Sequence, residues 1–428
     1  MATDHGRQLD AEAIASLSTQ RLGGYEKSLP AAADGATVAE FLATRPRLSA
    51  FGTPLLVLDS SVIDANIARL AGWCAEHGVD LCPHGKTTMA PAIWDRQLRA
   101  GAWGITVATP SQLRVAVGFG ARRVLLANAL VEPAALAWLS RALAADPELR
   151  VYSWVDSTDT VAVMETALSA APPPRPLTVL VELGAEGGRT GARGIAAARE
   201  VAAAVEASRH LALAGVCGYE GVLANQDTPA SYEVVRAYLR EMAELFGSLT
   251  FAGEAILTAG GSTFFDDVVD VLGPLAGPGT RVIVRSGAYV IHDDGFYSRM
   301  SPFSRRSDQP LRSAMHVWSR VLSRPEPGLA LLDAGKRDVP FDIDLPEPQL
   351  VADELGAPTK PIKGEVSATA DQHAFLRLDA DDPLRVGQVV RLGLSHPCTT
   401  FDKWRWIPVI ADENEPDPVV VELVRTYF

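Results

Sequence analysis

The stretch Asp80-Leu81-Cys82-Pro83-His84-Gly85-Lys86-Thr87-Thr88 runs a short apolar strand directly into a lysine, with a proline and a glycine ending the strand. A helical periodicity follows at 89 to 99, and this strand-then-helix unit recurs along the chain. Apolar runs at 103 to 108, 123 to 128, 151 to 156, 177 to 184, 213 to 219, 255 to 259 and 281 to 286 read as buried strands. Helical patterns at 61 to 76, 110 to 118, 131 to 144, 158 to 169, 192 to 208, 229 to 247 and 262 to 272 fill the spaces around them. Eight such units are the material of a closed (β/α)8 TIM barrel, in which helices cover a parallel sheet. A doubly wound open sheet uses the same alternation and stays open as the alternative.

Outside this core the pattern changes. Residues 1 to 50 read as irregular structure with short helices, and Thr37 with Glu40 has capping-box spacing ahead of a helix near 38 to 44. An apolar run at 53 to 59 stands before the eight units. After Gly287, strand-like runs at 316 to 322, 329 to 333 and 389 to 392 lie among proline-rich turns, so 305 to 428 reads as a second, mainly β domain. The barrel is therefore expected over 61 to 304.

The 428 residues are 47% hydrophobic and 21% charged, enough apolar material for substantial cores without metal or disulfide staples. A net charge of -13 opposes binding to phosphate backbones, so nucleic acid is not an expected partner. Cys74, Cys82, Cys217 and Cys398 are too scattered for a disulfide framework or a CxxC centre, which fits a reducing compartment. The first fifteen residues carry Asp4, Arg7, Asp10 and Glu12 without an apolar segment, and no apolar run is long enough to cross a bilayer. The expectation is a cytoplasmic protein without a membrane partner.

Three features could carry chemistry. Lys86 falls at the C-terminal end of a barrel strand, where catalytic groups of such barrels emerge. Only six of the 39 basic residues are lysines, and lysine, unlike arginine, can form an imine with an aldehyde. By position alone it could equally be a loop lysine. Glycines cluster at strand ends in Gly184, Gly187, Gly188 and Gly191 around Arg189-Thr190, in Gly260-Gly261-Ser262-Thr263, and in Ser286-Gly287. Such turns bring backbone N–H groups and hydroxyls to a phosphate, or simply make tight strand-to-helix connections. Neither a GxGxxG nor a Walker pattern accompanies them. Third, His396 and Cys398 offer an imidazole and a thiolate two residues apart, which an extended segment would place on one side. Alone they could be ordinary packed residues, and His373 is either an acid–base group or a structural one.

Together these residues resemble the D-serine dehydratase and D-threonine aldolase group of pyridoxal phosphate enzymes, which shares the alanine racemase-like fold (fold type III). The Pro-His-x-Lys-Thr segment appears as Pro83-His84-Gly85-Lys86-Thr87. The resemblance continues through Glu182-Leu183-Gly184, Arg189-Thr190-Gly191, Tyr219-Glu220-Gly221, Gly260-Gly261-Ser262-Thr263, Ser286-Gly287-Ala288-Tyr289 and His396-Pro397-Cys398. It spans roughly 50 to 405 and implies that the strand within 51 to 60 joins the β domain. It implies that Lys86 holds pyridoxal 5'-phosphate through an imine and that the 260 to 263 and Ser286-Gly287 turns receive the phosphate. Arg189 would approach the pyridine nitrogen, and His84, Thr190, Tyr219 and Tyr289 would line the cofactor pocket. His396 and Cys398 would bind a metal, zinc or else manganese, with the thiolate favouring the softer zinc. Two departures stand out: Thr88 replaces a usual histidine after Lys-Thr, and Asp371-Gln372-His373-Ala374 replaces a Glu-His-Gly stretch.

Cysteine in the second position of the His-x-Cys pair resembles the dehydratases, where the aldolases carry aspartate. The resemblance therefore implies metal-assisted β-elimination of a β-hydroxy-D-amino acid, with D-serine giving pyruvate and ammonia. Retro-aldol cleavage of D-threonine or a related β-hydroxy-D-amino acid is the alternative, and a non-catalytic pyridoxal phosphate-binding protein is a further one. A homodimer is expected, because related barrels place a second subunit near the active-site mouth.

Overall fold

The computed structural model describes residues 8–251 and 253–428. The chain forms two compact units, one from residues 8–10, Leu70–Lys86 and Trp94–Gly287, the other from Ala11–Arg69, Thr87–Ile93 and Ala288–Phe428. The strand β1 (Leu55–Asp59) precedes the barrel in the chain and lies in the sheet of the second unit.

The first unit is built on β2 (Asp80–Leu81), β3 (Ile105–Val107), β4 (Arg123–Ala129), β5 (Arg150–Val155), β6 (Leu177–Gly184), the short β7 (Ala192–Arg193), β8 (Leu211–Cys217), β9 (Ala255–Ala259) and β10 (Thr280–Val284). Its strands run in the order β2-β10-β9-β8-β6-β5-β4-β3, with β7 attached to β6. All these pairings are parallel. Backbone bonds from Trp103 N to the Leu81 carbonyl (2.7 Å) and from Thr106 N to the Pro83 carbonyl (2.9 Å) join β3 back to β2 and close the ring. Alternation along the strands turns Cys82, Trp103, Leu125, Trp154, Leu180, Cys217, Ile256 and Ile283 into one interior cluster.

The surrounding helices begin where the sequence supplies caps. Thr109 accepts the Gln112 N–H ahead of the helix Pro110–Gly118, and Thr228 accepts the Ser231 N–H ahead of Pro229–Gly247. In both, proline takes the first helical position, where no N–H is needed.

The second unit adds β11 (Met315–Glu326), β12 (Leu329–Leu332), β13 (Glu347–Ala352), β14 (Lys360–Pro361), β15 (Glu365–Thr369), β16 (Ala374–Arg377), β17 (Val389–Gly393), β18 (Trp406–Ile410) and β19 (Val420–Arg425). The sheet order is β14-β13-β17-β11-β1-β18-β19, and β12, β16 and β15 branch from β11. Every residue of β1 is buried, as expected of a central strand covered on both faces. Of residues 1 to 50, the first seven lie outside the described residues. The rest contributes Leu22, Val38, Phe41 and Leu48 to a core with Phe51, Val57, Trp318 and Trp406. The helix Val38–Ala43 starts with the Thr37/Glu40 capping box in place.

Six strands of this unit, β13 to β16, β18 and β19, carry no clear signal in the sequence. Pro348, Pro361 and Pro408 interrupt three of them, and β15 alternates exposed and buried positions too briefly to register. Among the described residues, no helix is long and apolar enough to cross a membrane.

Candidate active site

β2 ends at Leu81, and a single 3-10 turn, Gly85–Thr87, carries Lys86 away from it. The lysine's direction is set by its neighbour. A β-carbon on Gly85 would stand 2.8 Å from the Ile105 side chain and 2.9 Å from the Trp94 ring, so no larger residue fits there unless that packing moves. The Trp94 indole N–H donates to the Gly85 carbonyl at 3.1 Å and fixes the peptide before Lys86. His84 stands two residues ahead of Lys86. Burial, with the cations of Lys86, Arg285 and Arg189 nearby, holds its pKa well below the ordinary histidine value, so the imidazole is neutral. Its Nδ1 is buried without a hydrogen-bond partner, an unmet demand that a bound ligand would satisfy.

The end of β6 supplies Glu182, whose carboxyl is raised above its usual range by burial and which accepts the Thr190 hydroxyl at 3.1 Å. The loop carrying Arg189 and Thr190 is tied down by Arg193, whose guanidinium donates to the carbonyls of Gly188, Arg189, Thr190 and Gly191. Arg189 lies over the Tyr219 ring, 4.6 Å from its centroid. Tyr219 is itself held by its N–H donating to the Tyr238 hydroxyl (3.1 Å), which donates in turn to the Leu183 carbonyl (2.6 Å).

The Gly260-Gly261 turn departs from the sequence expectation. Glu220, fully buried, accepts the Gly260 N–H at 2.9 Å and the Gly261 N–H at 2.8 Å. These two amides are spent on a carboxylate and are not available to a phosphate. The Ser286 hydroxyl donates to the Gly261 carbonyl at 2.7 Å and joins the two turns. Glu220 escapes notice in the sequence because nothing in Tyr-Glu-Gly spacing shows where its side chain turns.

Arg285 is the other residue that the sequence does not single out. It follows the apolar strand β10, is only 5% exposed, and donates to the Thr258 hydroxyl (2.7 Å) and the Gly218 carbonyl (2.6 Å). These acceptors are neutral, and Arg285 also acts on the Glu182 carboxyl, pulling its pKa down against the burial that raises it. Its available signal is position: an arginine closing an apolar run directly before Ser286-Gly287. The first unit thus brings together Lys86, Arg189 and Arg285 with the unsatisfied His84, a donor set that suits an anionic aldehyde cofactor.

In the second unit, His396 immediately precedes the helix Pro397–Phe401 and has extended backbone (φ -151, ψ 101). Cys398 already lies in the first helical turn, so the extended His-x-Cys geometry expected from sequence is corrected. Proline at the first helical position starts the turn one residue after His396. The imidazole and thiol still meet. Burial works against a charged His396, but its bonds to Cys398 and Asp342 outweigh that and raise it to about 9. Asp342 Oδ2 lies 2.6 Å from His396 Nδ1, and Cys398 Sγ lies 3.4 Å from the Thr87 hydroxyl. An imidazole backed by a carboxylate beside a thiol is a donor set that suits zinc. Among the described residues, no group of three or more His, Cys, Asp or Glu side chains is placed to hold a metal, so the protein offers two donors.

Tyr289, expected beside the cofactor, is buried in a short turn of the second unit (Ala288–Val290). His373 is exposed at the turn between β15 and β16, where its carbonyl accepts the Ala370 N–H. A histidine exposed at a hairpin turn does not by itself have the enclosure that an acid–base group needs, so its surroundings in this chain add nothing to the catalytic role expected of it.

A closed parallel barrel with a strand-end lysine, accompanied by a mainly β unit, is the architecture of the alanine racemase-like fold. Residues 58–265 match the family described as alanine racemase, N-terminal domain, and residues 314–410 match the putative serine dehydratase domain. The chain has the two-domain alanine-racemase-like fold, a barrel unit and a separate mainly β unit. It is similar to a D-threonine aldolase from an Arthrobacter species, 29% identical over 374 residues, covering 85% of this chain and 90% of that protein. It is also similar to a 3-hydroxy-D-aspartate aldolase from Paracoccus denitrificans, 25% identical and covering 83% and 87% of the two chains. The crystal structure of a D-threonine aldolase from Filomicrobium marinum superposes with a TM-score of 0.72 at 25% identity, over 89% of this chain and 96% of that one.

Proposed function

We propose that this protein cleaves a β-hydroxy-D-amino acid by a retro-aldol reaction, releasing glycine and an aldehyde, with pyridoxal phosphate attached at Lys86. The observation that carries the reading is Lys86 itself, aimed from the end of β2 by the packing of Gly85 against Trp94 and Ile105. The similarity to aldolases over more than four-fifths of the chain turns the choice of reaction from D-serine dehydration to cleavage between Cα and Cβ.

The cofactor, when bound, supplies an electron sink for the bond broken at Cα. Lys86 would hold the cofactor covalently through Nζ and, once displaced by substrate, carry a proton at the same atom. His84, neutral and unsatisfied at Nδ1, would hydrogen-bond the bound group. Arg285, charged and fixed by Thr258 and Gly218, would disfavour a second positive charge on a ring nitrogen beside it. That role suits it better than exposed Arg189, which lies over the Tyr219 ring. His396 and Cys398 would hold a divalent ion, zinc by the softness of the thiolate, whose Lewis acidity favours ionisation of the substrate β-hydroxyl.

Dehydration is the second reading, favoured by Cys398 and by the match of 314–410 to the serine dehydratase domain. Incubating the metal-characterised protein with D-threonine, 3-hydroxy-D-aspartate and D-serine separates the two. Glycine with acetaldehyde or glyoxylate establishes cleavage. Ammonia with 2-oxobutyrate, oxaloacetate or pyruvate overturns it in favour of dehydration, and imine formation without product makes the chain a binding protein. The homodimer expected with this family is part of the same reading and is checked by sedimentation.

A further inference from the structure

We infer that Asp342 is a positioning residue for the metal: its carboxylate fixes His396 in the tautomer that carries the proton on Nδ1 and presents the Nε2 lone pair to the ion. This rests on the metal site proposed above and adds a residue to it.

The geometry comes from one carboxylate holding both ends of a short segment. Asp342 Oδ2 lies 2.6 Å from His396 Nδ1, and Asp342 Oδ1 accepts the Thr399 hydroxyl at 2.7 Å. Cys398 lies between those two anchors. An ionised carboxylate only accepts hydrogen bonds, so Nδ1 must be the donor, and an ion that binds takes the place of any proton on Nε2, where the ring's lone pair then lies. A ligating histidine whose second ring nitrogen donates to a carboxylate is both oriented and made more basic.

Asp342 does not act alone in holding the segment. Two residues further on, Asp344 accepts the Ser395 hydroxyl at 2.7 Å and pairs with Arg299 at 2.8 Å. The residue before His396 is thereby tied to the same short stretch of chain. Phe341, Ile343 and Leu345 alternate with the two aspartates and are 46%, 42% and 37% exposed.

The test measures zinc affinity by chelator competition on the full-length, cofactor-loaded protein, together with the thiolate-to-metal absorption of its cobalt(II) form. Asp342→Ala is expected to weaken zinc binding by about 10–100-fold while the thiolate band persists, because Cys398 still ligates. Asp342→Asn, which keeps one acceptor oxygen for Nδ1, is expected to recover much of the affinity. Zinc binding by Asp342→Ala as tight as the parent's overturns the inference while leaving the metal site intact. A parent protein that binds no zinc, or a Cys398→Ala variant that keeps the thiolate band, overturns the metal reading itself. Nitrogen-15 NMR of the zinc-loaded parent needs no variant at position 342: a proton on Nδ1 of His396 supports the assignment, and metal on Nδ1 refutes it.

Discussion

Arg193 occupies the space that Gly184 leaves by having no side chain. A β-carbon on Gly184 would press into the Arg193 guanidinium and into the carbonyl oxygens of Thr190 and Gly191. Strand β6 and the returning loop therefore touch backbone to backbone, with Gly191 adopting φ +101 on the opposite side. Gly184→Ala is expected to cost roughly 1–3 kcal/mol through overpacking against atoms that have no alternative position. Arg193→Ala is expected to cost about 1 kcal/mol, since its guanidinium is exposed, but to loosen the loop that presents Arg189 and Thr190. Urea unfolding checks the first effect. A cofactor titration checks the second, and unchanged pyridoxal phosphate affinity in Arg193→Ala would show that the loop needs no such anchor.

Lys86→Ala and Lys86→Arg form a sharper pair. Both are expected to remain folded, because Lys86 itself is only partly buried. Both are expected to lose the visible absorption of the cofactor imine and all turnover. Arginine retains the charge but cannot form the bond, so any imine in Lys86→Arg would assign attachment to another lysine.

How far the sequence reaches depends on whether a residue's role is local. The strands and helices of the barrel, the short β7 apart, are legible because apolar period and caps are short-range signals, as in Thr109-Pro110 and Thr228-Pro229. Lys86 is legible because it follows its own strand. Glu220 and Arg285 are not, because their meaning lies in partners 40 and 27 residues away, the Gly260 amide and the Thr258 hydroxyl. Asp342 is hidden for the same reason, 54 residues from His396. Six strands of the second unit, β13 to β16, β18 and β19, fall below recognition because prolines and short or edge positions blur their alternation.

Glu220→Gln tests the braced glycine turn. Glutamine keeps one carbonyl oxygen for two amides and turns its NH2 toward a donor, leaving a buried N–H unsatisfied. A loss of roughly 1–3 kcal/mol in unfolding free energy is expected, with weaker cofactor binding as the Gly260-Gly261 turn shifts. Glu220→Gln with parental cofactor affinity would separate the turn from phosphate binding.

Asp293 predicts a specific pH dependence of stability. Its Oδ1 accepts the N–H groups of Gly295, Tyr297 and Ser298, while Oδ2 is buried without a partner. Burial, assisted by the neighbouring Asp294 charge, overcomes those three bonds and pushes the carboxyl from 3.8 to about 8. A carboxyl raised on folding favours the native state when protonated. Its contribution is complete below the unfolded value and disappears as pH rises through the folded one. The parent should therefore lose stability between about pH 4 and 8, at up to about 1.4 kcal/mol per pH unit in the middle of that window. Asp293→Asn keeps an acceptor for the three amides and removes the titration, so its stability relative to the parent should climb from pH 5 to pH 8 and then level off. Urea unfolding at pH 5, 7 and 9 measures the difference, and an offset that stays constant across the three would mean that Asp293 is ionised in the folded protein throughout.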